Sequence, residues 1–153
     1  KMLRRILRAC AETGVKEIHL INSYRVEKSF WQSPVLGDAT LESCLLAGLE
    51  QAQDTVLPRV HRHRRFRPFA EDLLPRLCNG AQALLADPRA QTPYPADPGG
   101  PAVVIIGPEG GFIPFEATLI EAAGARPVCL GDRILRVETA LQSALGRHLL
   151  ARG

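Results

Sequence analysis

No apolar run in the sequence approaches the roughly 20 residues that a membrane-spanning helix needs, and the longest candidate, Ala102 to Gly107, has the size of a strand. A spanning helix is therefore not expected. The basic opening Lys1-Met2-Leu3-Arg4-Arg5-Ile6-Leu7 leads into neither a long apolar segment nor a small-residue cleavage site, so secretion is not signalled and a cytoplasmic location is expected. There is no Cys-x-x-Cys pair. Cys10, Cys44, Cys78 and Cys129 lie far apart, which argues against a zinc ribbon or a small disulfide framework and for reduced thiols. The even spacing of the first three is no repeat, because their flanking residues share nothing else. Charge of one sign is also scarce: 19 Lys and Arg stand against 16 Asp and Glu, and a net charge of +3 does not by itself mark a nucleic-acid binder. What is present is 153 residues, 46% hydrophobic and 23% charged, the make-up of one globular domain with a real core rather than of a disordered or fibrous chain.

Periodicity along the chain alternates between helix and strand. Leu3, Ile6, Leu7 and Cys10 recur at helical spacing between Met2 and Thr13, and Gly14 stands where a helix stops. Val15 to Ile21 reads as a strand that enters a loop at Asn22-Ser23. A helix is expected from Thr40 to Asp54, with Asp38 or Thr40 as its N-cap and Gly48 as its only breaker. Thr55 to Val60 reads as a short strand, Phe69 to Leu77 as a helix stopped by Asn79-Gly80, and Ala81 to Ala86 as a buried strand. The proline-laden stretch Asp87 to Pro101 is expected to be a surface loop. Beyond it come a strand at Ala102 to Ile106, a helix from Pro114 to Ala123 stopped by Gly124, a strand at Arg126 to Leu130 and a helix from Val137 to Leu150. Strands that alternate with helices, several apolar on both faces, predict an α/β fold with a parallel sheet covered by helices.

In such sheets ligands bind beyond the carboxyl ends of the strands, and two loops there stand out. Gly107-Pro108-Glu109-Gly110-Gly111-Phe112 follows a strand and precedes a helix with proline in its first turn. Its glycines permit close backbone approach to a ligand, and a tight structural turn is the competing explanation. It is not Gly-x-Gly-x-x-Gly, and it lacks the lysine and hydroxyl of a P-loop. The second loop, Leu130 to Ala140, sets Ile134 and Leu135 between Arg133 and Arg136. It is either an apolar slot with a cationic rim, suited to a planar base, or two core residues beside two solvated arginines. Glu138 also has a plain role open to it, complementing the dipole of the last helix.

With Glu116 downstream of the first loop, these two motifs resemble the signature of the bacterial small-subunit ribosomal RNA uracil-N3 methyltransferases, the RsmE family of the SPOUT superfamily. Ala11-Glu12-Thr13-Gly14-Val15, Ile18, Arg25 and Glu50-Gln51 follow the same pattern, so the resemblance covers nearly the whole chain. It implies a SPOUT-type parallel sheet flanked by helices, with a C-terminal trefoil knot, a rare exception to ordinary chain topology. It also implies S-adenosylmethionine as methyl donor, small-subunit ribosomal RNA or the assembled small subunit as substrate, and a homodimer. The apolar stripe Leu141, Leu145 and Leu149 offers a dimer surface, or else core. The family carries an N-terminal RNA-binding barrel that this sequence does not include, so residues 1–153 are expected to form the methyltransferase domain, binding cofactor but RNA only weakly. Three residues past Gln51, where the family tends to have arginine, stands Asp54.

The cofactor pocket implied by the resemblance is lined by Gly107, Pro108, Glu109, Gly110 and Gly111 on one side and by Leu130, Gly131 and Arg133 on the other. Ile134 and Leu135 pack on the adenine, Leu85 and Ala86 complete the wall, and Thr139 and Ala140 belong to the same site. Removal of the uracil N3 proton needs a base, for which Glu138 is the candidate, with Arg136 stabilising charge on the uracil oxygens. RNA contacts are expected at Arg25, Arg62, Arg64, Arg65 and Arg133. The run Arg59 to Arg67 packs five arginines and two histidines into nine residues and is either an RNA-phosphate patch or a solvated basic loop. No metal is expected, since neither cysteine nor carboxylate neighbours His61 and His63 in the sequence. Two other functions fit the same residues: a nucleotide- or RNA-binding module without catalysis, and a SPOUT methyltransferase acting on another RNA.

Overall fold

The structure, a computed structural model, describes residues 1–151, with only the backbone of residues 150 and 151. The described chain divides into two compact units: unit 1 comprises Lys1–Ile21 and Glu27–Arg64, and unit 2 comprises Asn22–Val26 and the chain from Arg65 onward. In both, the strands are parallel and alternate with helices, so the α/β class read from the sequence holds.

Unit 1 opens with helix α1 (Met2–Glu12), which buries Leu7, Cys10 and Ala11 and ends before Gly14, whose φ of 86° suits glycine. Strand β1 (Glu17–Ile21) follows. Two short 3-10 turns, Lys28–Gln32 and Pro34–Leu36, lead into helix α2 (Asp38–Ala52), whose buried face is Leu41, Cys44, Leu45, Gly48 and Leu49. The N-cap is Gly37 rather than Asp38 or Thr40, and Asp38 lies in the first turn, where its charge complements the helix dipole. Gly48 is no accident of composition: a Cβ there would stand 2.4 Å from the Arg8 carbonyl oxygen and 2.8 Å from the Ala11 Cβ, so α1 and α2 touch backbone to backbone at this point. Burial pushes the Cys10 thiol up to about 12, which leaves it an inert packing group.

The second strand of unit 1 departs from expectation. It is β2 (Arg59–His63), not Thr55 to Val60, and it runs parallel to β1 with His19 opposite His61. Pro58 has no N–H to give a ladder, so pairing begins one residue later, where the Arg59 amide donates to the Lys16 carbonyl at 2.9 Å. Five of the nine residues of the basic run Arg59 to Arg67 are thereby strand. Asp54, in the connection before β2, receives Lys16 Nζ at 2.5 Å and the Val56 amide at 3.0 Å, and the Lys16 bond holds its carboxyl below the usual range.

Unit 2 begins its continuous part with three helical pieces in succession: α3 (Phe66–Pro68), a π-helical turn (Phe69–Leu73) and α4 (Leu74–Cys78). The helix expected from Phe69 thus starts earlier. Pro75 lacks the N–H that an unbroken α-helix requires, and the π turn just before it absorbs the fault. The sheet has the order β4-β3-β5, all parallel, with β3 (Gln82–Ala86) in the centre, β4 (Ala102–Ile105) and β5 (Arg126–Val128). Helix α5 (Pro114–Ala122) follows β4, and α6 (Val137–Ala151) follows β5. The loop from Asp87 to Pro101 is more than a surface excursion. Its Thr92 carbonyl accepts from Cys129, its Tyr94 amide donates to Cys129, and buried Tyr94 joins Leu84, Val128 and Ala144 in the core. The Tyr94 hydroxyl lies 2.6 Å from His148 Nε2 on α6.

Candidate functional site

Because β3, β4 and β5 are parallel, their carboxyl ends lie at one edge of the sheet of unit 2, with Leu85 opposite Ile105 and Ala86 opposite Val128. The glycine loop leaves from β4 and the second loop from β5, so both emerge beside Leu85 and Ala86. Leu85 is buried and Ala86 half-buried at the strand end.

The glycine loop is held from three directions. Within it, the Gly111 amide donates to the Pro108 carbonyl at 2.8 Å, and Gly110 and Gly111 take φ values of 86° and 81°, the left-handed region that glycine adopts without strain. Phe112 is buried, with its ring 6.1 Å from that of Phe66, and a Cβ on Gly107 would press on Phe112 at 3.2 Å. At the start of α5, Glu116 Oε1 accepts the Ile113 amide at 3.0 Å, the carboxylate half of a capping box. Its other oxygen accepts the Tyr24 amide at 2.9 Å, and the residue is only 3% exposed. Segment Asn22–Val26 is thus fastened to the loop's helix. Arg25, on the same segment, donates to the carbonyls of Gly110 and Gly111, so its guanidinium has partners inside the protein.

A hydrogen bond joins the two loops. Glu109 Oε1 accepts the amide of Val137 at 3.3 Å, which caps the first turn of α6 with a carboxylate carried by the glycine loop. Arg133 and Arg136 are exposed, Glu138 is half-buried in the first turn of α6, and Thr139 and Ala140 follow on the same helix. The view of Ile134 as core is overturned: it is 88% exposed, while Leu135 is half-buried. Leu130 is half-buried and packs against the Tyr94 cluster. The remaining expected RNA contacts belong to different surroundings. In unit 1, Arg62 donates to the Leu36 carbonyl and to Asp38, and the Arg64 guanidinium lies 5.7 Å from the centre of the Trp31 ring. In unit 2, Arg65 is exposed ahead of α3.

Sequence reasoning quoted Glu116 as part of a motif but missed what it does; a glutamate three residues after the residue preceding a helix was the available signal. It also placed no carboxylate near His61, whereas Glu17 Oε2 lies 2.6 Å from His61 Nε2 across the strand pair.

An α/β domain whose glycine loop and arginine-flanked loop converge at the carboxyl edge of a parallel sheet has a counterpart among known proteins. A family model described as an RNA methyltransferase domain matches residues 1–149, and the chain belongs to that family. Among its relatives, the ribosomal RNA small subunit methyltransferase E of Treponema pallidum is 33% identical over 149 residues, covering 93% of this chain and 55% of the relative. The ribosomal RNA small subunit methyltransferase E 1 of Borreliella burgdorferi is 27% identical over 92% of this chain and 59% of its own length. The chain therefore spans a little over half the length of these curated relatives. Among solved structures, the ribosomal RNA small subunit methyltransferase E of Neisseria gonorrhoeae, bound to S-adenosylmethionine, superimposes with a TM-score of 0.76 at 25% identity, covering 95% of this chain and 59% of that one. A candidate methyltransferase of Legionella pneumophila in complex with the same cofactor gives 0.78 at 25% identity, over 100% of this chain and 62% of that one. No helix among the described residues is long and apolar enough to cross a membrane.

Proposed function

We propose that this chain is the cofactor-binding and catalytic domain of a small-subunit ribosomal RNA methyltransferase, which uses S-adenosylmethionine to methylate N3 of a uridine in 16S ribosomal RNA. The observation that carries the reading is the bond from the Val137 amide to Glu109, which joins the two loops that bear the family resemblance. The names of the relatives and the cofactor bound in the neighbouring structures point the same way.

The residues fit the cofactor. A Cβ at Gly111 or Gly131 would meet nothing within 4 Å, so the backbone of both loops faces open space, and Ile134 offers a bare apolar side chain beside it. The backbone of Gly107 to Gly111 and of Leu130 and Gly131 would hold the adenine edges, with Ile134 and Leu135 on its face and Leu85 and Ala86 behind. Bound there, the cofactor supplies a methyl group activated on a sulfonium centre. The protein's share is position and charge. Glu138 accepts the N3 proton of the uracil, Arg136 offsets the negative charge that develops on the ring oxygens, and Arg133 holds a backbone phosphate. The base must be unpaired or splayed out, because N3 is engaged inside a duplex.

The same reading brings a trefoil knot in the C-terminal part of unit 2, a cytoplasmic workplace and a homodimer. Leu145 is buried, but Leu149 on α6 is 45% exposed and extends the stripe outward. Light scattering at tens of micromolar tests the dimer. For the function, calorimetry is expected to find binding of S-adenosylmethionine and its demethylated product with no response to ATP or NAD. Tritiated methyl transfer to 16S ribosomal RNA or small subunits, with mass spectrometry of the nucleosides, then locates the methyl group. Cofactor binding without transfer to any RNA supports a binding module instead, and transfer to a different RNA redirects the assignment within the superfamily.

A further inference from the structure

Unit 1 carries a cluster of side chains that the methyltransferase reading leaves unused. In a strand, alternate residues share a face, so Glu17 and His19 of β1 point the same way, as do His61 and His63 of β2. The parallel register sets His19 directly opposite His61, which puts all four on one face of the strand pair. The imidazoles of His19 and His61 stack with ring centres 4.5 Å apart and 13° between planes, and His19 and His63 stack at 5.2 Å and 15°. One donor atom each from Glu17, His19 and His61 falls within a group whose members all lie within 4.8 Å of one another.

We propose that Glu17, His19 and His61 form a binding site for a divalent first-row transition metal, with Zn²⁺ as its natural occupant and His63 orienting His19. Two imidazoles and one carboxylate form a ligand set that zinc accepts, leaving a fourth position for water. At metal–ligand distances of about 2.0–2.2 Å and tetrahedral angles, two donors on one ion stand about 3.3–3.6 Å apart, so the cluster closes around an ion by side-chain rotations that turn the stacked imidazoles toward a common point. Those rotations are open to it, since the side chains of Glu17 and His61 are 51% and 41% exposed. The bond of 2.9 Å between His19 Nδ1 and His63 Nε2 holds the orientation of the His19 ring, the service that a partner behind the ligand ordinarily performs at zinc sites. A metal here clamps β1 to β2, the strand pair of unit 1 among the described residues.

The experiment is a calorimetric titration of the whole chain, free of any affinity tag and stripped with chelator, with ZnCl₂ near neutral pH. Half-buried Cys78 and Cys129 are replaced by serine so that partly accessible thiols do not compete, whereas Cys10 and Cys44 are buried. One Zn²⁺ per chain is expected, with affinity reduced about tenfold or more in His19→Ala, His61→Ala and Glu17→Gln, and by about 10–100-fold in His63→Ala. Circular dichroism checks that each variant is folded; Glu17→Gln, at an exposed strand end, keeps the test decisive if a histidine variant is not. Absence of saturable binding overturns the proposal, as does one-to-one binding that Glu17→Gln and the histidine variants leave within twofold.

Discussion

Replacing Glu116 tests whether the carboxylate beneath the glycine loop is the anchor that its geometry describes. Its two oxygens accept two backbone amides, Ile113 at 3.0 Å and Tyr24 at 2.9 Å, from a residue only 3% exposed. Glu116→Ala removes the acceptor of both amides; the two bonds are half-buried, and a hydrogen bond to a charged group is worth about 1.5–3 kcal/mol, less where water can replace the lost partner. A loss of about 2–5 kcal/mol in unfolding free energy is therefore expected, a large share of the roughly 5–15 kcal/mol that holds a typical domain together. Glu116→Gln keeps one acceptor and turns an amide donor toward the other N–H, so a loss of about 1–3 kcal/mol is expected there. Urea denaturation monitored by circular dichroism measures both. Hydrogen exchange gives a second, local readout: the Tyr24 amide gains no substitute partner in Glu116→Ala, and peptides covering residues 22–26 exchange faster than in the parent even where the rest of the chain is protected. A Glu116→Ala variant within about 0.5 kcal/mol of the parent, with unchanged exchange at Tyr24, refutes the reasoning.

Gly48→Ala sets a Cβ 2.4 Å from the Arg8 carbonyl oxygen, so the variant is expected to lose about 1–3 kcal/mol although alanine is the better helix former; a gain in stability in thermal unfolding overturns the close-approach account. Gly110→Val forces a branched side chain to a φ of 86°, with its Cβ 3.4 Å from Arg25 Cδ, and is expected to abolish binding of S-adenosylmethionine while circular dichroism stays native; unchanged affinity counts against the loop as a cofactor wall. Tyr94→Phe removes only the hydroxyl that meets His148 at 2.6 Å, so a loss of about 0.5–1.5 kcal/mol and faster proteolysis between Asp87 and Pro101 are expected, and equal stability and cleavage rates contradict the tether.

Helix α1, strands β1, β3, β4 and β5 and helices α5 and α6 were legible because each carries its own period and its own stop, as Gly14 and Gly124 illustrate. Strand β2 was not. Arg-Val-His-Arg-His has no apolar alternation, because its one face carries imidazoles, and what makes it a strand is its pairing with β1, a long-range fact. The glycine loop announced itself through composition, whereas the bonds that hold it, from Glu116 to Tyr24 and from Glu109 to Val137, span 92 and 28 residues and leave no local pattern. Tyr94 was hidden for the opposite reason: the prolines around it signal a loop so strongly that a buried aromatic within it goes unnoticed.

Segment Asn22–Val26 belongs to unit 2 although the chain on both sides of it belongs to unit 1. The gene therefore cannot be cut at one point to yield either unit whole. A fragment beginning at Arg65 keeps every strand and helix of unit 2 but discards the Tyr24 amide and the Arg25 guanidinium, and with them two of the ties on the glycine loop. A glycine loop that looks self-contained on a linear map is in this way held by residues 85 and 92 positions away, Arg25 on Gly110 and Tyr24 on Glu116. Truncation libraries, split-protein designs and chimaeras with relatives are expected to keep the glycine loop in place only where that short strap travels with the C-terminal part.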